Sequence, residues 1–286
     1  MVARLDGPVG IIAGGQSLPL EIAAKLQAQG RDYVLFGLMG EADIAIESHP
    51  HYWLKWGEIG RMFKLFEQHS IRHLLCIGSV SKRPDYKSIR LDLGAVRALP
   101  DILRIMSSGG DEGVLGGVAN FMEKRGIELL SVPQLTPELV VGDNFSINSS
   151  LAAPLANDIL LAAKAALLVG ELDAGQGAVV ADGRILALEG PEGTDQMLAR
   201  VADIREQKRA RWNFGTQGVL LKRARPAQDL RFDMPTIGPR TLIGLEKAGL
   251  AGLICAQGEV LCASHEEVCN IAKRDKLFVV ARKLTL

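Results

Sequence analysis

Apolar runs of a few residues alternate, through the first half of the chain, with stretches whose apolar positions recur every three or four residues. Residues 9–13 are a continuous apolar run that ends in Gly14-Gly15. From Ser17 the spacing changes to Leu20, Ala23, Ala24 and Leu26, with Ser17 placed as N-cap and Pro19 in the first turn of a helix that Gly30 ends. The same reading predicts strands over 32–38, 72–80 and 127–132 and helices over 58–69, 93–106 and 112–124. Buried strands separated by helices of this length make a parallel, Rossmann-like sheet.

Residues 134–150 are richer in Pro, Thr, Asn, Asp and Ser than their surroundings, and the domain junction is placed there. Beyond it the pattern predicts an alanine-rich helix over 154–171 and a hairpin of strands 177–181 and 184–188. Asp182-Gly183 between those strands suits a type I′ turn. A charged helix over 192–211 and a strand over 218–223 follow. The remainder reads as a helix over 241–247, a strand over 252–255 with a hairpin partner at 260–262, a helix over 265–273 and a strand over 278–284. The expected fold is α/β in two domains: residues 1–140 Rossmann-like, and residues 141–286 a mixed α/β domain.

Acidic and basic residues balance at 33 each and aromatics make up only 5%, which argues against nucleic acid as a partner. The four cysteines form no CxxC pair, so neither a zinc site nor a disulfide framework is expected. Cys76 reads as a buried structural thiol. The apolar run at the amino end is too short for a signal peptide, and the apolar stretch 159–169 falls short of the ~20 residues that span a bilayer. A cytoplasmic location is expected.

Chemistry concentrates in the segment from Lys222 to Pro239. Asp229 and Asp233 stand four residues apart among Lys222, Arg223, Arg225 and Arg231, and three prolines with Gly238 exclude an ordinary helix. Carboxylates suit a hard divalent cation, and Lys222, Arg225 and Arg231 suit phosphoryl oxygens. Thr236-Ile237-Gly238 reads as a rigid shelf behind the second carboxylate. A surface cluster in which Asp229 and Arg225 neutralise one another is the plainer alternative.

Four weaker constellations accompany it. Gly14-Gly15-Gln16-Ser17 could bring backbone N–H groups to an anion at a helix start, or simply form a tight turn. Gly78 and Ser79, with Lys82 close behind, end a strand where open parallel sheets bind ligands. Asp111 lies in a glycine-rich stretch that is either a helix start or a mobile loop. Asn144 at the junction, and Glu189, Gly190, Thr194 and Asp195 around a strand end and a helix start, are binding candidates or caps.

Taken together, the first glycine turn, Gly78-Ser-Val, the Asp111 stretch, Glu189-Gly190, Gly193-Thr194-Asp195 and Gln228-Asp-Leu-Arg-Phe-Asp-Met-Pro-Thr-Ile-Gly238 have a familiar look. The chain resembles the UDP-2,3-diacylglucosamine pyrophosphatases of lipid A biosynthesis, LpxI-type, which lack the metallophosphoesterase fold. The resemblance implies a Mg²⁺-dependent hydrolase that splits the pyrophosphate to UMP and 2,3-diacylglucosamine 1-phosphate. It further implies water attack at the sugar-side phosphorus and a ligand held between two α/β domains. Asp229 and Asp233 would be both the catalytic and the metal-holding residues. A lipid substrate implies weak peripheral contact with the inner membrane, its acyl chains lying along the apolar helix after Leu151 unless that helix is ordinary core. A homodimer, a nucleotide-sugar transferase and a non-catalytic nucleotide- or lipid-binding module stay open.

Overall fold

The structure, a computed structural model, describes residues 5–80, 89–107, 110–143, 145–209, 217–226 and 228–284, with side chains left out at 110–112. Its contacts divide the chain into two compact units, Met1–Pro137 with Asp229–Asp233, and Glu138–Gln228 with Met234–Leu286.

In the first unit the elements are β1 (Val9–Ala13), α1 (Leu18–Ala28), β2 (Tyr33–Leu38), β3 (His51–Leu54), α2 (Ile59–Gln68), β4 (His73–Ile77), α3 (Leu93–Met106), α4 (Gly110–Glu123), β5 (Glu128–Leu130) and the short α5 (Val132–Leu135). The strands pair in the order β3-β2-β1-β4-β5, parallel throughout. Strand order reverses between β1 and β4, which is the switch point of a Rossmann-like sheet. Phe36, Leu74 and Leu129 on one sheet face pack with Met62, Phe66, Ala98 and Phe121 from α2, α3 and α4. Their neighbours Ile11, Leu35 and Leu75 alternate to the opposite face and are equally buried.

Helices α2 and α3 cross at two glycines. A Cβ on Gly94 would lie 2.2 Å from the Gly60 Cα, so neither position tolerates a side chain without the helices separating. Asp92, N-cap of α3, locks this crossing. Its Oδ1 accepts from Ala95 N–H at 2.7 Å and Gly60 N–H at 3.0 Å, and its Oδ2 from Arg61 N–H at 2.9 Å. Burial pushes its pKa up, but these backbone donors outweigh burial and hold the carboxyl below its ordinary value.

The second unit contains β6 (Ser146–Ile147), α6 (Ala156–Glu171), β7 (Gly177–Ala181), β8 (Arg184–Leu188), α7 (Gly193–Glu206), β9 (Val219–Lys222), β10 (Thr236–Ile237), α8 (Pro239–Lys247), β11 (Gly252–Ala256), β12 (Leu261–Cys262), α9 (His265–Arg274) and β13 (Phe278–Arg282). Its main sheet runs β6-β13-β11-β9-β7-β8, with β9, β11 and β13 parallel and the others antiparallel to their neighbours. One face carries α6, whose Ile159, Ala162, Ala163 and Ala166 pack on Val180, Leu221, Ile254 and Phe278. The other face carries α7, α8 and α9 through Leu198, Leu245 and Val268 against Val179, Leu220 and Leu253.

Ser149–Glu171 is long and apolar enough, at 23 residues, to cross a membrane by length and composition alone. Its inner face is core, however, and Asp158 on that face accepts from the N–H groups of Asp182 and Gly183 in the β7–β8 turn, at 3.0 and 2.7 Å. That turn has φ of 51° and 69° at its two central residues, as a type I′ hairpin requires. One expected pairing is corrected. The strand around Leu261 makes no hairpin with β11; it pairs in parallel with β10, because Leu261 N–H is taken by Pro235 O and Ala263 N–H by Ile237 O.

Replacing Asp92 by Ala leaves three backbone N–H donors without their acceptor and is expected to lower stability by about 2 kcal/mol. Urea unfolding monitored by circular dichroism checks this.

Candidate functional site

At the switch point of the first unit, the turns after β1 and β4 are stitched together. Gly14 N–H donates to Ile77 O at 2.9 Å, Gly15 N–H to Ser79 O at 2.7 Å, and Ser79 N–H to Gly15 O at 3.1 Å. Contact is close enough that a Cβ on Gly14 would stand 2.6 Å from Ser79 O, while Gly78 has φ of +102°. The glycines are therefore needed for the approach of two turns, and the N–H groups of Gly14 and Gly15 are spent on it. What this edge presents outward is the exposed Gln16 and Ser17 and the half-buried Ser79. Ser17 occupies the N-cap of α1 without a side-chain capping bond.

Lys82 and Asn144 lie outside the described residues, as does the side chain of Asp111. The glycine-rich stretch around Asp111 is helix, not loop: it begins α4. Its small residues let α3 come close, a Cβ on Gly117 standing 2.8 Å from Ile105 Cγ1. A cavity of about 410 Å³ lies along these helices, lined by Arg104, Gly113, Gly116, Asn120, Phe121 and Lys124 among others.

The second unit gathers the other candidates at one sheet edge. β8 and β9 both run antiparallel to β7, so Glu189 and Lys222 finish on the same side, where α7 begins. Lys222 is only 4% exposed, and its Nζ donates to Thr194 Oγ1 at 2.7 Å and to Thr236 O at 3.2 Å. The Thr194 hydroxyl in turn donates a hydrogen bond to Glu189 Oε1 at 2.6 Å. A buried lysine and a buried glutamate are thus joined through one hydroxyl, which offsets the cost of taking either from water. Glu189 Oε2 is buried with no hydrogen-bond partner among the described residues. Gly190 follows directly, and Asp195 in the first turn of α7 pairs with Arg240 of α8. Ile237 is fully buried in the core, and Gly238 is the N-cap of α8, its N–H donating to Thr241 Oγ1.

Arg225 is buried as well, paired with Asp173 at 2.6 Å, with its N–H on Gln228 Oε1. Arg225 is thus committed to Asp173 within its own unit. Asp229 is held instead by Arg231, two residues on. Oδ1 accepts from Arg231 N–H and Nε, both at 3.0 Å, and Oδ2 from Nη2 at 2.7 Å and Nε at 3.2 Å. Arg231 Nη1 reaches Glu123 of α4 at 2.8 Å, and Phe232 packs into the core of the first unit. Asp233 N–H returns to Asp229 O at 3.3 Å. Glu123, Asp173 and Arg240 are partners that sequence reasoning did not supply; each stands far along the chain from the residue it holds.

The donor set bears on a metal as follows. Among the described residues no three His, Cys, Asp or Glu side chains converge on one point. A Mg²⁺ ion bound through one or two carboxylates and substrate phosphate oxygens needs no such cage. A carboxylate offers about four lone-pair positions, and Arg231 brings three N–H hydrogens to Asp229, from its backbone N–H, Nε and Nη2, with that of Nε shared between the two oxygens. Asp229 thus keeps room for one further bond, which a metal could use. The thiols of Cys76 and Cys255 do not compete, because burial pushes both up to about 12.

The Arg231 side-chain hydrogen bonds hold the Asp229 carboxyl below its ordinary value, against a smaller opposing effect of burial. A depressed folded pKa stabilises above the unfolded value and ceases to do so as pH falls through the folded one. Arg231→Gln is expected to raise the Asp229 pKa, because the side-chain hydrogen bonds that depress it are lost, and a carboxyl ¹³C NMR titration reads this directly.

Comparison with known proteins now has a structure to refer to. Residues 8–139 match the LpxI N-terminal domain family model and residues 146–280 the LpxI C-terminal domain model. A Caulobacter vibrioides protein named UDP-2,3-diacylglucosamine pyrophosphatase LpxI is 36% identical over 272 residues, covering 95% of this chain and 96% of that one. The two family models leave little of the chain unmatched and divide it close to where its contacts do. The chain belongs to the LpxI family.

Proposed function

We propose that this protein is a hydrolase that splits the pyrophosphate of UDP-2,3-diacylglucosamine into UMP and 2,3-diacylglucosamine 1-phosphate, a step of lipid A biosynthesis. The observation that carries the reading is near full-length similarity to the Caulobacter pyrophosphatase, joined to a clamped acidic loop of the kind phosphoryl chemistry uses.

In the reaction a water oxygen forms a bond to the sugar-side phosphorus while that phosphorus loses its bond to the bridging oxygen. The bridging oxygen leaves with UMP and keeps the electron pair; the protons of the water pass to solvent or to a carboxylate. Magnesium, when bound, neutralises charge that builds on the phosphoryl oxygens. Asp233 and the remaining lone pair of Asp229 would hold it. Arg231 keeps the Asp229 carboxylate from rotating, so no reorganisation is needed when charge develops. Two of the three N–H groups of Lys222 are engaged, and the third is available to an anion.

The membrane contact proposed here is peripheral and follows from the diacylated substrate, with catalysis on the cytoplasmic side.

With purified protein, Mg²⁺ and the UDP-lipid, ³¹P NMR is expected to show UMP and the sugar phosphate appearing together, without an acceptor, and excess EDTA is expected to stop the reaction. Asp229→Ala and Asp233→Ala are each expected to lower kcat by about 10²-fold or more. Full activity in both variants, or transfer to an acceptor in place of hydrolysis, would reject the assignment. Hydrolysis in H₂¹⁸O should label the sugar phosphate and not UMP.

A further inference from the structure

The last residue of α4 is a glutamate, Glu123, and the last turn of that helix holds no basic residue. A carboxylate there has the wrong sign for a helix C-terminus, where the macrodipole favours cations. The nearby Arg125 turns to Phe121 O, to the Phe121 ring and to Asp101. Glu123 accepts from Arg231 Nη1 at 2.8 Å, across 108 residues of sequence. Its side chain is 47% exposed and that of Arg231 36%, and an ion pair so open to solvent contributes little to stability.

What the pair does provide is orientation. A guanidinium is planar and presents its five N–H groups in a rigid fork. Nε and Nη2 lie against the Asp229 carboxylate, and Nη1 is tied to α4 through Glu123. Held along both edges, the plane cannot turn without giving up one carboxylate. The direction of the remaining Asp229 lone pair is then set by a helix in the first unit and not by the loop alone.

We infer that Glu123 is a positioning residue for the reaction, acting through Arg231 on the Asp229 carboxylate. This rests on the acidic-loop reading above and adds to it a residue that contacts neither substrate nor metal.

The full-length protein with Glu123→Gln is expected to keep its thermal midpoint and its KM while kcat falls about tenfold, as outer partners of catalytic carboxylates commonly do. Glu123→Asp keeps the charge with a shorter reach and should recover part of that loss. In a double-mutant cycle with Arg231→Gln the effects on kcat should not add: the double variant should be no slower than Arg231→Gln alone. A Glu123→Gln protein with unchanged kcat, additive effects, a rise in KM alone, or a loss that merely tracks a lower thermal midpoint would each overturn the inference. Asp229→Ala serves as the control. If it stays fully active, the acidic-loop reading itself fails; if it is inactive while Glu123→Gln is unaffected, only the positioning role fails.

Discussion

Strands that run in the same direction finish on the same edge of a sheet, and the polar clusters of both units follow from that constraint. In the first unit it brings Gly14 and Gly15 beside Gly78 and Ser79 although more than sixty residues separate them, and the two turns become one hydrogen-bonded edge. In the second unit β8 and β9, related through their shared antiparallel neighbour, deliver Glu189 and Lys222 to the start of α7. Neither cluster could be assembled by chain neighbours. Both sit where open α/β sheets expose their carboxyl ends, the position from which such folds recruit ligands.

Burial changes what the charged residues in these clusters can do. A lysine left 4% exposed needs acceptors inside the protein, and Lys222 finds them in a threonine hydroxyl and a backbone carbonyl. Arg225 answers the same demand with Asp173. Positive charges that look like phosphate contacts in a one-dimensional reading are thus partly committed to the fold. Arg231 differs, because it is more exposed and its partners include a carboxylate of the loop it belongs to.

Legibility followed the range of the interactions involved. The Asp182-Gly183 hairpin was readable because turn chemistry is local, and its positive φ values follow from the residue types themselves. The bounds of α3 were readable because its apolar spacing is regular. β10 and β12, two residues each, were not, since such short strands carry no periodicity and exist only through each other. In the acidic loop, the two carboxylates and the arginine between them stood out as charges among prolines. That Arg231 would hold Asp229 was not legible, because a pairing of Asp229 with Arg225 is equally compatible with the composition. Glu123 left no sequence signal beyond its sign at a helix end, since its partner is 108 residues away.

The charge balance of the loop decides how its parts divide the work. Asp229 and Glu123 give two formal negative charges against the single positive charge of Arg231. The contacts place Asp229–Asp233 with the first unit, so these charges share one body. A phosphate approaching Arg231 alone would meet two carboxylates already bound to it, and repulsion would offset much of the attraction. A divalent cation meets the opposite situation, a residual negative charge held in a fixed direction. The guanidinium in this loop therefore serves the acids before it serves any anion.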